Sequence, residues 1–250
     1  MSEGEIAVVT ERRGRVLVVT INRPDQRNAV NLAVAQGIAT ALDELDADAD
    51  LSLGVLTGAG KGFCAGMDLK AFVAGESSSV GDRGFAGIVR RPPAKPLIAA
   101  IEGFAVAGGL EIALACDLIV AARGAKLGIP EVKRSLVAAG GALPRGVAME
   151  LALTGDPIAA ERGYELGLVN RLAEPGAALA QALELAETIA ANGPLALAAT
   201  KHILTAVSSW PAQEFWQRQG EITAPIFGSE DAREGATAFA QKRPPVWTGR

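Results

Sequence analysis

Residues 96–117 read PLIAAIEGFAVAGGLEIALACD, and this stretch decides the fold class. The short aliphatic run at 96–102 predicts a buried strand, because it is followed by glycine and is too short for a separate helix. A turn ending in Gly108 and Gly109 then opens an apolar helix over 108–116. Another strand is predicted over 117–122. This alternation of strands and helices is typical of an α/β protein.

The same alternation continues toward the N-terminus. β-Branched runs at 6–10 and 15–21 flank a turn and predict a hairpin. Asn31 precedes a helical pattern and is expected to cap that helix. A strand at 51–57, a glycine-rich loop at 58–66 and a short helix at 68–74 follow. The Ser- and Gly-rich residues 75–84 predict a mobile surface loop beside a binding site.

The chain becomes helical in its last third. Two short helices, at 147–153 and 159–166, precede a predicted strand at 168–172. The helices predicted beyond it cover 175–191, 195–207, 211–226 and 230–241. The change at residue 173 is the candidate boundary between an α/β core, residues 1–173, and a C-terminal helical region, residues 174–250.

Composition excludes several kinds of protein. The 250 residues include one histidine, His202, so zinc sites built on two or three histidines are excluded. Two cysteines, Cys64 and Cys116, form at most one disulfide, which favours a reducing, cytoplasmic setting. The net charge of −4 disfavours nucleic acid as the main partner. Neither a signal peptide nor a membrane-spanning apolar stretch is recognisable.

Two glycine-rich turns, 64–68 and 106–111, each lead into a helix. Glycine allows close approach of the backbone to a ligand, and a helix N-terminus presents N–H groups without intrahelical partners. Two such N–H groups directed at one oxygen would form an oxyanion hole. The alternative interpretation is that these glycines only permit tight turns.

Two glutamates are candidates for acid–base chemistry. Glu111 is the only charged residue between Glu102 and Asp117, and Glu131 follows the sequence Gly-Ile-Pro. A carboxylate in an apolar pocket resists ionisation and is suited to proton transfer near neutral pH. Alternatively, both glutamates stabilise helix N-termini. We interpret His202 and Cys116 as structural side chains, whereas Cys64 borders the glycine-rich loop.

Ordered blocks along the chain resemble the signatures of the enoyl-CoA hydratase/isomerase, or crotonase, family. The blocks are 22–24 (NRP), 28–29 (NA), 63–69 (FCAGMDL), 96–103 (PLIAAIEG), 108–111 (GGLE), 116–117 (CD), 128–131 (GIPE) and 238–243 (AFAQKR). The resemblance implies a spiral of ββα units with two roughly perpendicular sheets. It also implies that the C-terminal helical region covers the active site and assembles a homotrimer or a dimer of trimers.

The resemblance implies an acyl-CoA thioester as the ligand. The backbone N–H groups matching the family's oxyanion hole belong to Ala65 and Gly108, and the catalytic carboxylates match Glu111 and Glu131. By analogy, Glu111 helps to deprotonate a water molecule and Glu131 delivers a proton to the α-carbon. No metal or redox cofactor is expected, since coenzyme A enters with the substrate.

Further substrate contacts are expected at positions around this centre. They are Arg23, Arg27, Ala65, Gly66, Met67, Asp68, Gly108, Phe239 and Lys242. The arginines would meet the phosphates of coenzyme A. The last two residues would approach the nucleotide from a neighbouring subunit.

The chain departs from the family pattern at two places. Only six residues, 142–147, separate Gly141 from Ala148, where the family usually has about a dozen, and Met67 replaces a small or polar residue. The departures leave acyl-chain preference open. We expect a hydratase that converts 2-enoyl-CoA to 3-hydroxyacyl-CoA. The alternatives are an enoyl-CoA isomerase, another acyl-CoA dehydratase, or a non-catalytic acyl-CoA binding protein.

Overall fold

A computed structural model describes residues 6–137 and 145–250 of the chain. The strands are β1 (Val8–Arg13), β2 (Val16–Ile21), β3 (Leu53–Gly58), β4 (Ser79–Val80), β5 (Gly84–Phe85), β6 (Leu97–Ile101), β7 (Phe104–Val106), β8 (Leu118–Ala122), β9 (Lys126–Gly128), β10 (Ile158–Ala159) and β11 (Arg171–Ala173). The helices are α1 (Leu32–Ala47), α2 (Leu69–Val73), α3 (Gly108–Leu114), α4 (Arg145–Thr154), α5 (Ala160–Glu165), α6 (Ala178–Ala190), α7 (Pro194–Ala206), α8 (Phe215–Phe227) and α9 (Glu230–Gln241).

The larger sheet has the strand order β1-β2-β3-β6-β8-β11. Its first pair is the predicted antiparallel hairpin, and the other neighbours are parallel. A smaller sheet has the order β10-β9-β7. Two successive units place their first strand, β6 or β8, in the larger sheet and their second strand, β7 or β9, in the smaller one. Each unit therefore connects the two sheets before its helix begins.

The larger sheet buries both faces. Along β6, Leu97, Ala99 and Ile101 belong to one apolar cluster, whereas Ile98 and Ala100 belong to another. The first cluster packs against α1 and α3, and the second packs against α6. This alternation has the two-residue period of a strand, and burial on both faces explains the nearly continuous aliphatic run in the sequence.

Helix α6 forms part of the core. Its apolar side chains Ala178, Ala182, Leu185 and Ala186 cover the β3, β6 and β8 strands. The last strand ends at Ala173, where the sequence suggests a boundary, yet the sheet remains covered by residues beyond that position. Among the described residues, no helix has the length and apolar character needed to cross a bilayer.

Two local predictions are confirmed by hydrogen bonds. The side chain of Asn31 accepts from the N–H of Val34 and caps α1, a contact typically worth about 1 kcal/mol. The predicted short helix is α2, where the side chain of Asp68 accepts from the N–H groups of Lys70 and Ala71. The N-terminal boundaries of these helices are thus encoded by single polar residues.

The interpretation of residues 75–84 as only a surface loop is wrong. Residues Ser79–Val80 and Gly84–Phe85 form a short antiparallel pair. The Arg83 side chain is buried, and it donates from Nε to Asp43 (3.2 Å) and from Nη1 to the Arg91 carbonyl (2.7 Å). Glu76 accepts from the N–H of Leu32. These contacts attach the segment to α1, and its polar composition gives no sign of them.

Candidate active site

The two glycine-rich turns lie against each other. The Cys64 N–H donates to the Phe104 carbonyl (3.3 Å), and the Cys64 carbonyl accepts from the Val106 N–H (3.1 Å). A Cβ atom on Gly109 would lie 2.2 Å from the Cys64 carbonyl oxygen. The backbones could not approach this closely if a side chain stood at position 109. Segments about forty positions apart in the sequence therefore form one wall of a cavity.

The proposed oxyanion donors both line this cavity. Gly108 is the first residue of α3, so its N–H has no partner within the helix. The Ala65 N–H donates to the Arg27 carbonyl at 3.1 Å. A thioester oxygen must therefore share this donor with the Arg27 carbonyl or replace it.

Both candidate glutamates face the same cavity. Glu111 lies in the first turn of α3, and Glu131 lies in the 3₁₀ helix Pro130–Arg134 that follows β9. The two elements are connected by a hydrogen bond from the Ala107 N–H to the Gly128 carbonyl (2.9 Å). Glu111 and Glu131 therefore line one cavity, and their joint binding of a water molecule stays a prediction.

Glu131 has the environment of a proton donor. Burial raises the pKa of its carboxyl above the ordinary value, and a hydrogen bond from its own backbone N–H opposes this shift only in part. Its Oε2 atom is buried and has no hydrogen-bond partner among the described residues. A carboxyl that lacks partners for its charged form retains a proton at higher pH.

The cavity has a volume of about 440 Å³, and most of its lining is apolar. Its lining residues are Arg27, Ala65, Met67, Leu69, Phe85, Val106, Ala107, Gly108, Glu111, Pro130, Glu131, Arg134, Leu136 and Val137. This size falls in the usual range for small-molecule sites. The described residues hold no group of three or more His, Cys, Asp or Glu side chains arranged for a metal ion.

Several expected substrate contacts lie elsewhere. Arg23 forms a salt bridge with Asp68 (3.0 Å), and both side chains are largely shielded from solvent. Burial favours the neutral form of Asp68, but hydrogen bonds from the Ala71 N–H and Arg23 outweigh it and lower the pKa of that carboxyl. Neither side chain lines the cavity, and both instead fix the turn that precedes α2. Their direct contact with substrate stays a prediction.

The remaining predicted contacts divide into two groups. Arg27 lines the cavity, and its guanidinium lies 4.5 Å from the centre of the Phe104 ring. Met67 also lines the cavity, while Gly66 is buried behind it. Phe239 and Lys242 are exposed at the end of α9 and do not line the cavity of this chain. The structure therefore does not test their contact with a substrate bound to another subunit.

Sequence reasoning missed two polar or aromatic lining residues, Phe85 and Arg134. Phe85 lies on β5, and a Cβ atom on Gly108 would lie 2.5 Å from its ring. Arg134 follows Glu131 by three positions in a 3₁₀ helix, where side chains at this spacing eclipse each other. That spacing is a signal in the sequence, whereas nothing local marks Phe85.

Part of the short segment at 142–147 is outside the described residues. Residues 142–144 belong to the undescribed stretch, and residues 145–147 form the first turn of α4. Leu136 and Val137, which precede the undescribed stretch, line the cavity. The shortening therefore begins close to the candidate site.

Comparison with protein families matches residues 11–250 to the enoyl-CoA hydratase/isomerase family. An enoyl-CoA hydratase of Mycobacterium tuberculosis is 42% identical over 97% of this chain and 96% of its own length. A carnitinyl-CoA dehydratase of Salmonella typhi is 38% identical over 96% of this chain and 97% of its own length. The similarity thus extends over nearly the whole of each protein.

Solved structures agree with these relatives. An enoyl-CoA hydratase from Mycobacterium marinum superposes with a TM-score of 0.96 and 60% identity, covering 98% of this chain and all of that one. A carnitinyl-CoA hydratase from Mycobacterium avium gives a TM-score of 0.77 and 43% identity, covering 99% and 100%. The predicted crotonase fold is confirmed, and the chain belongs to the enoyl-CoA hydratase/isomerase family.

Proposed function

We propose that this protein hydrates the 2,3 double bond of a 2-enoyl-CoA and releases 3-hydroxyacyl-CoA. One observation carries the proposal: two glutamates and two candidate oxyanion donors line a single, largely apolar cavity. The hydratases and dehydratases among its relatives place the chain among hydro-lyases. A binding protein would have no use for desolvated carboxylates.

The proposed reaction begins with water held between Glu111 and Glu131. Glu111 accepts a proton as the water oxygen bonds to the β-carbon, and the electrons of the double bond move toward the thioester carbonyl. The resulting enolate oxygen is stabilised by the N–H groups of Ala65 and Gly108. Removing one such donor typically costs about 3 to 4 kcal/mol of transition-state stabilisation.

Protonation of the α-carbon completes the addition. Glu131 supplies this proton, and the raised pKa of its carboxyl supports the assignment because the group must start the step protonated. Glu111 then loses the proton that it accepted, and Glu131 regains one, by exchange between the two carboxyls and solvent. This exchange restores the starting state of the pair. The proposed chemistry needs no metal ion and no redox cofactor.

The proposal includes a homotrimer or a dimer of trimers. Large apolar side chains are exposed along the C-terminal helices, among them Leu204, Trp216, Phe227 and Phe239, and contact with another copy would cover them. In such an assembly Arg27 of one subunit and Lys242 of another would meet coenzyme A. A native mass measurement that finds only the 25.6 kDa monomer contradicts this part.

We further propose a cytoplasmic location. Both cysteines are free and buried in the structure, which suits a reducing compartment. Burial raises the pKa of the Cys64 thiol to about 12, so this thiol stays protonated and takes no part in the proposed chemistry.

The deciding experiment is to mix the protein with crotonyl-CoA and follow loss of the enoyl absorbance. We expect turnover by the wild type and a fall in kcat of about 10² to 10⁴ in Glu131→Gln, with acyl-CoA binding retained. Tight binding without turnover of any enoyl-CoA would support a binding protein instead. Product analysis with a 3-enoyl-CoA distinguishes an isomerase.

The carnitinyl-CoA dehydratase relative favours a second candidate, elimination of water from a 3-hydroxyacyl-CoA. The same two carboxyls and oxyanion donors would serve that reverse reaction. Incubation with carnitinyl-CoA, followed by analysis for the unsaturated thioester, tests this candidate directly.

A further inference from the structure

We propose that Arg134 selects a 2-enoyl-CoA whose acyl chain ends in a carboxylate. This inference rests on the proposed function and adds a substrate class to it. Arg134 is one of the residues that line the proposed catalytic cavity, together with Glu111 and Glu131.

Arg134 is close to the reacting carbons. It lies one turn of a 3₁₀ helix beyond Glu131, which corresponds to a rise of about 6 Å, and both side chains project from the same face. The pantetheine arm of coenzyme A is much longer than this rise. A group held near Arg134 is therefore distant from the phosphates, and the acyl chain is the part of the thioester that can carry a charge at this distance from Glu131.

Three other cations near the cavity have contacts within the protein: two pair with carboxylates, and Arg27, which is assigned to coenzyme A above, lies over an aromatic ring. Arg23 pairs with Asp68, Lys133 pairs with Asp156, and the Arg27 guanidinium covers the Phe104 ring. Arg134 forms no salt bridge with any carboxylate in residues 6–137 and 145–250. The sequence between these two ranges, 138–144, contains no acidic residue. Among the described residues, Arg134 therefore lacks a salt-bridge partner, and the carboxyls that share its cavity, Glu111 and Glu131, are those assigned to proton transfer.

The residues around Arg134 favour an acyl chain that ends in a carboxylate over one that is entirely apolar. Met67, Leu69, Leu136 and Val137 share the cavity with Arg134. Arg134 is an exposed residue of this lining, so an apolar chain packed against it would displace part of the guanidinium's water and give it no partner, which is unfavourable. A carboxylate can accept two parallel hydrogen bonds from the guanidinium and restore its solvation.

Matched thioesters test this selection. Pent-2-enoyl-CoA and glutaconyl-CoA have five-carbon acyl chains that differ only in a terminal methyl or carboxylate, and the corresponding six-carbon pair extends the reach. We expect kcat/KM for the carboxylated chain to exceed that of the neutral chain by about ten- to hundredfold at one length or both. A chain ending in trimethylammonium should be the poorest substrate, and this result would also exclude the carnitinyl-CoA candidate; efficient turnover of that chain would overturn the inference.

Variants assign the preference to Arg134. In Arg134→Met the ratio of the two kcat/KM values should fall to one or below, and Arg134→Lys should retain part of it. Lys133→Met is the matched control, because it removes a neighbouring cation that does not line the cavity, and it should leave the ratio unchanged.

Contradictory outcomes are distinct. A wild type that hydrates neutral chains equally well, or a ratio that Arg134→Met does not change, overturns this inference and leaves the proposed function intact. If Arg134 contacts a phosphate instead, Arg134→Met would lower kcat/KM for the neutral and the carboxylated thioester equally. If the wild type hydrates none of these thioesters, the proposed function itself is contradicted. Calorimetric binding of glutaryl-CoA and pentanoyl-CoA to the wild type and Arg134→Met then tests selection without turnover.

Discussion

The two walls of the cavity are built in opposite ways. The inner wall, residues 64–66 and 106–109, consists of backbone segments in direct contact, and Cys64, Gly66, Gly108 and Gly109 are buried. The outer wall, residues 130–137, is a 3₁₀ helix and its extension, where every residue from 132 to 137 is exposed. The inner wall contains the proposed oxyanion donors, and the outer wall contains Glu131 and Arg134.

In the proposed function, the inner wall would supply fixed backbone donors, and the outer wall would supply side chains for proton transfer and substrate selection. Backbone donors must be held within a few tenths of an ångström to stabilise an enolate, and close packing of the inner wall achieves that. Side chains on the exposed outer wall can vary with little effect on the core. We therefore expect substitutions in the inner wall to damage folding and turnover together, and substitutions in the outer wall to change turnover, substrate preference or pH dependence without loss of the fold.

Gly109→Ala should disrupt the inner wall and have the largest combined effect on stability and turnover. The new Cβ atom would lie 2.2 Å from the Cys64 carbonyl oxygen, so one backbone segment must move. We expect kcat/KM to fall about 100-fold or more and stability to fall by about 1 to 3 kcal/mol. Steady-state hydration and thermal unfolding measure both effects.

Gly220→Ala is the control for that substitution. Gly220 lies in α8, and a Cβ atom there has no neighbour within 4 Å. Alanine should stabilise this helix by about 0.5 to 1 kcal/mol without changing turnover. Normal activity and stability in Gly109→Ala would show that the inner wall is not fixed by packing.

Arg83→Met should loosen the support behind the inner wall. It removes the hydrogen bonds to Asp43 and the Arg91 carbonyl that hold the segment carrying Phe85 against Gly108. We expect a loss of about 2 kcal/mol in stability and a rise in KM, with a smaller change in kcat. Chemical denaturation and initial rates measure these changes, and equal losses in kcat and kcat/KM would contradict a role in positioning.

Glu131→Gln should reveal what the raised pKa does to stability. Because the folded pKa is above the unfolded one, the protonated carboxyl stabilises the fold at acid pH, and this contribution is lost as pH rises through the folded pKa. The variant should therefore match the wild type near pH 4 and have a higher Tm at about pH 8. Thermal unfolding of both proteins across this pH range measures the difference in Tm. A lower Tm for the variant than for the wild type at pH 8 would contradict the prediction.

The activity profile should follow the same proton. If Glu131 must start the reaction protonated, kcat/KM of the wild type falls as pH rises through its raised pKa. Glu111→Asp provides a comparison, since it leaves Glu131 in place. Its kcat/KM should still fall with rising pH as that of the wild type does. A rate that rises through the same range would assign Glu131 to the base instead.

Val137→Ala should have the smallest effect. Its side chain is 92% exposed although it lines the outer wall, so stability should stay within about 0.5 kcal/mol of the wild type. We expect KM to change for long acyl chains and to remain constant for crotonyl-CoA. A loss of stability comparable to that of Gly109→Ala would remove the distinction between the walls.

Local sequence signals predicted much of the fold. The hairpin β1–β2, the Asn31 cap and the apolar helix α3 each depend on residues within a few positions of one another. Strands β7 and β9 were missed because three residues are too few to show a period. The strand predicted at 168–172 begins only at Arg171, since the N–H groups of Leu168 and Val169 bond to Gly163 and close α5.

By itself, the sequence determined which residue types are available for catalysis. It contained two glutamates in apolar surroundings and two glycine-rich turns before helices, and its motifs pointed to one family. Only the tertiary structure decided that Ala65, Gly108, Glu111 and Glu131 share a cavity, that Arg23 is occupied by Asp68, and that Phe85 and Arg134 complete the lining. The physical reason is range: caps and periodicity act within a turn or a strand, whereas the cavity depends on contacts between segments far apart in the chain.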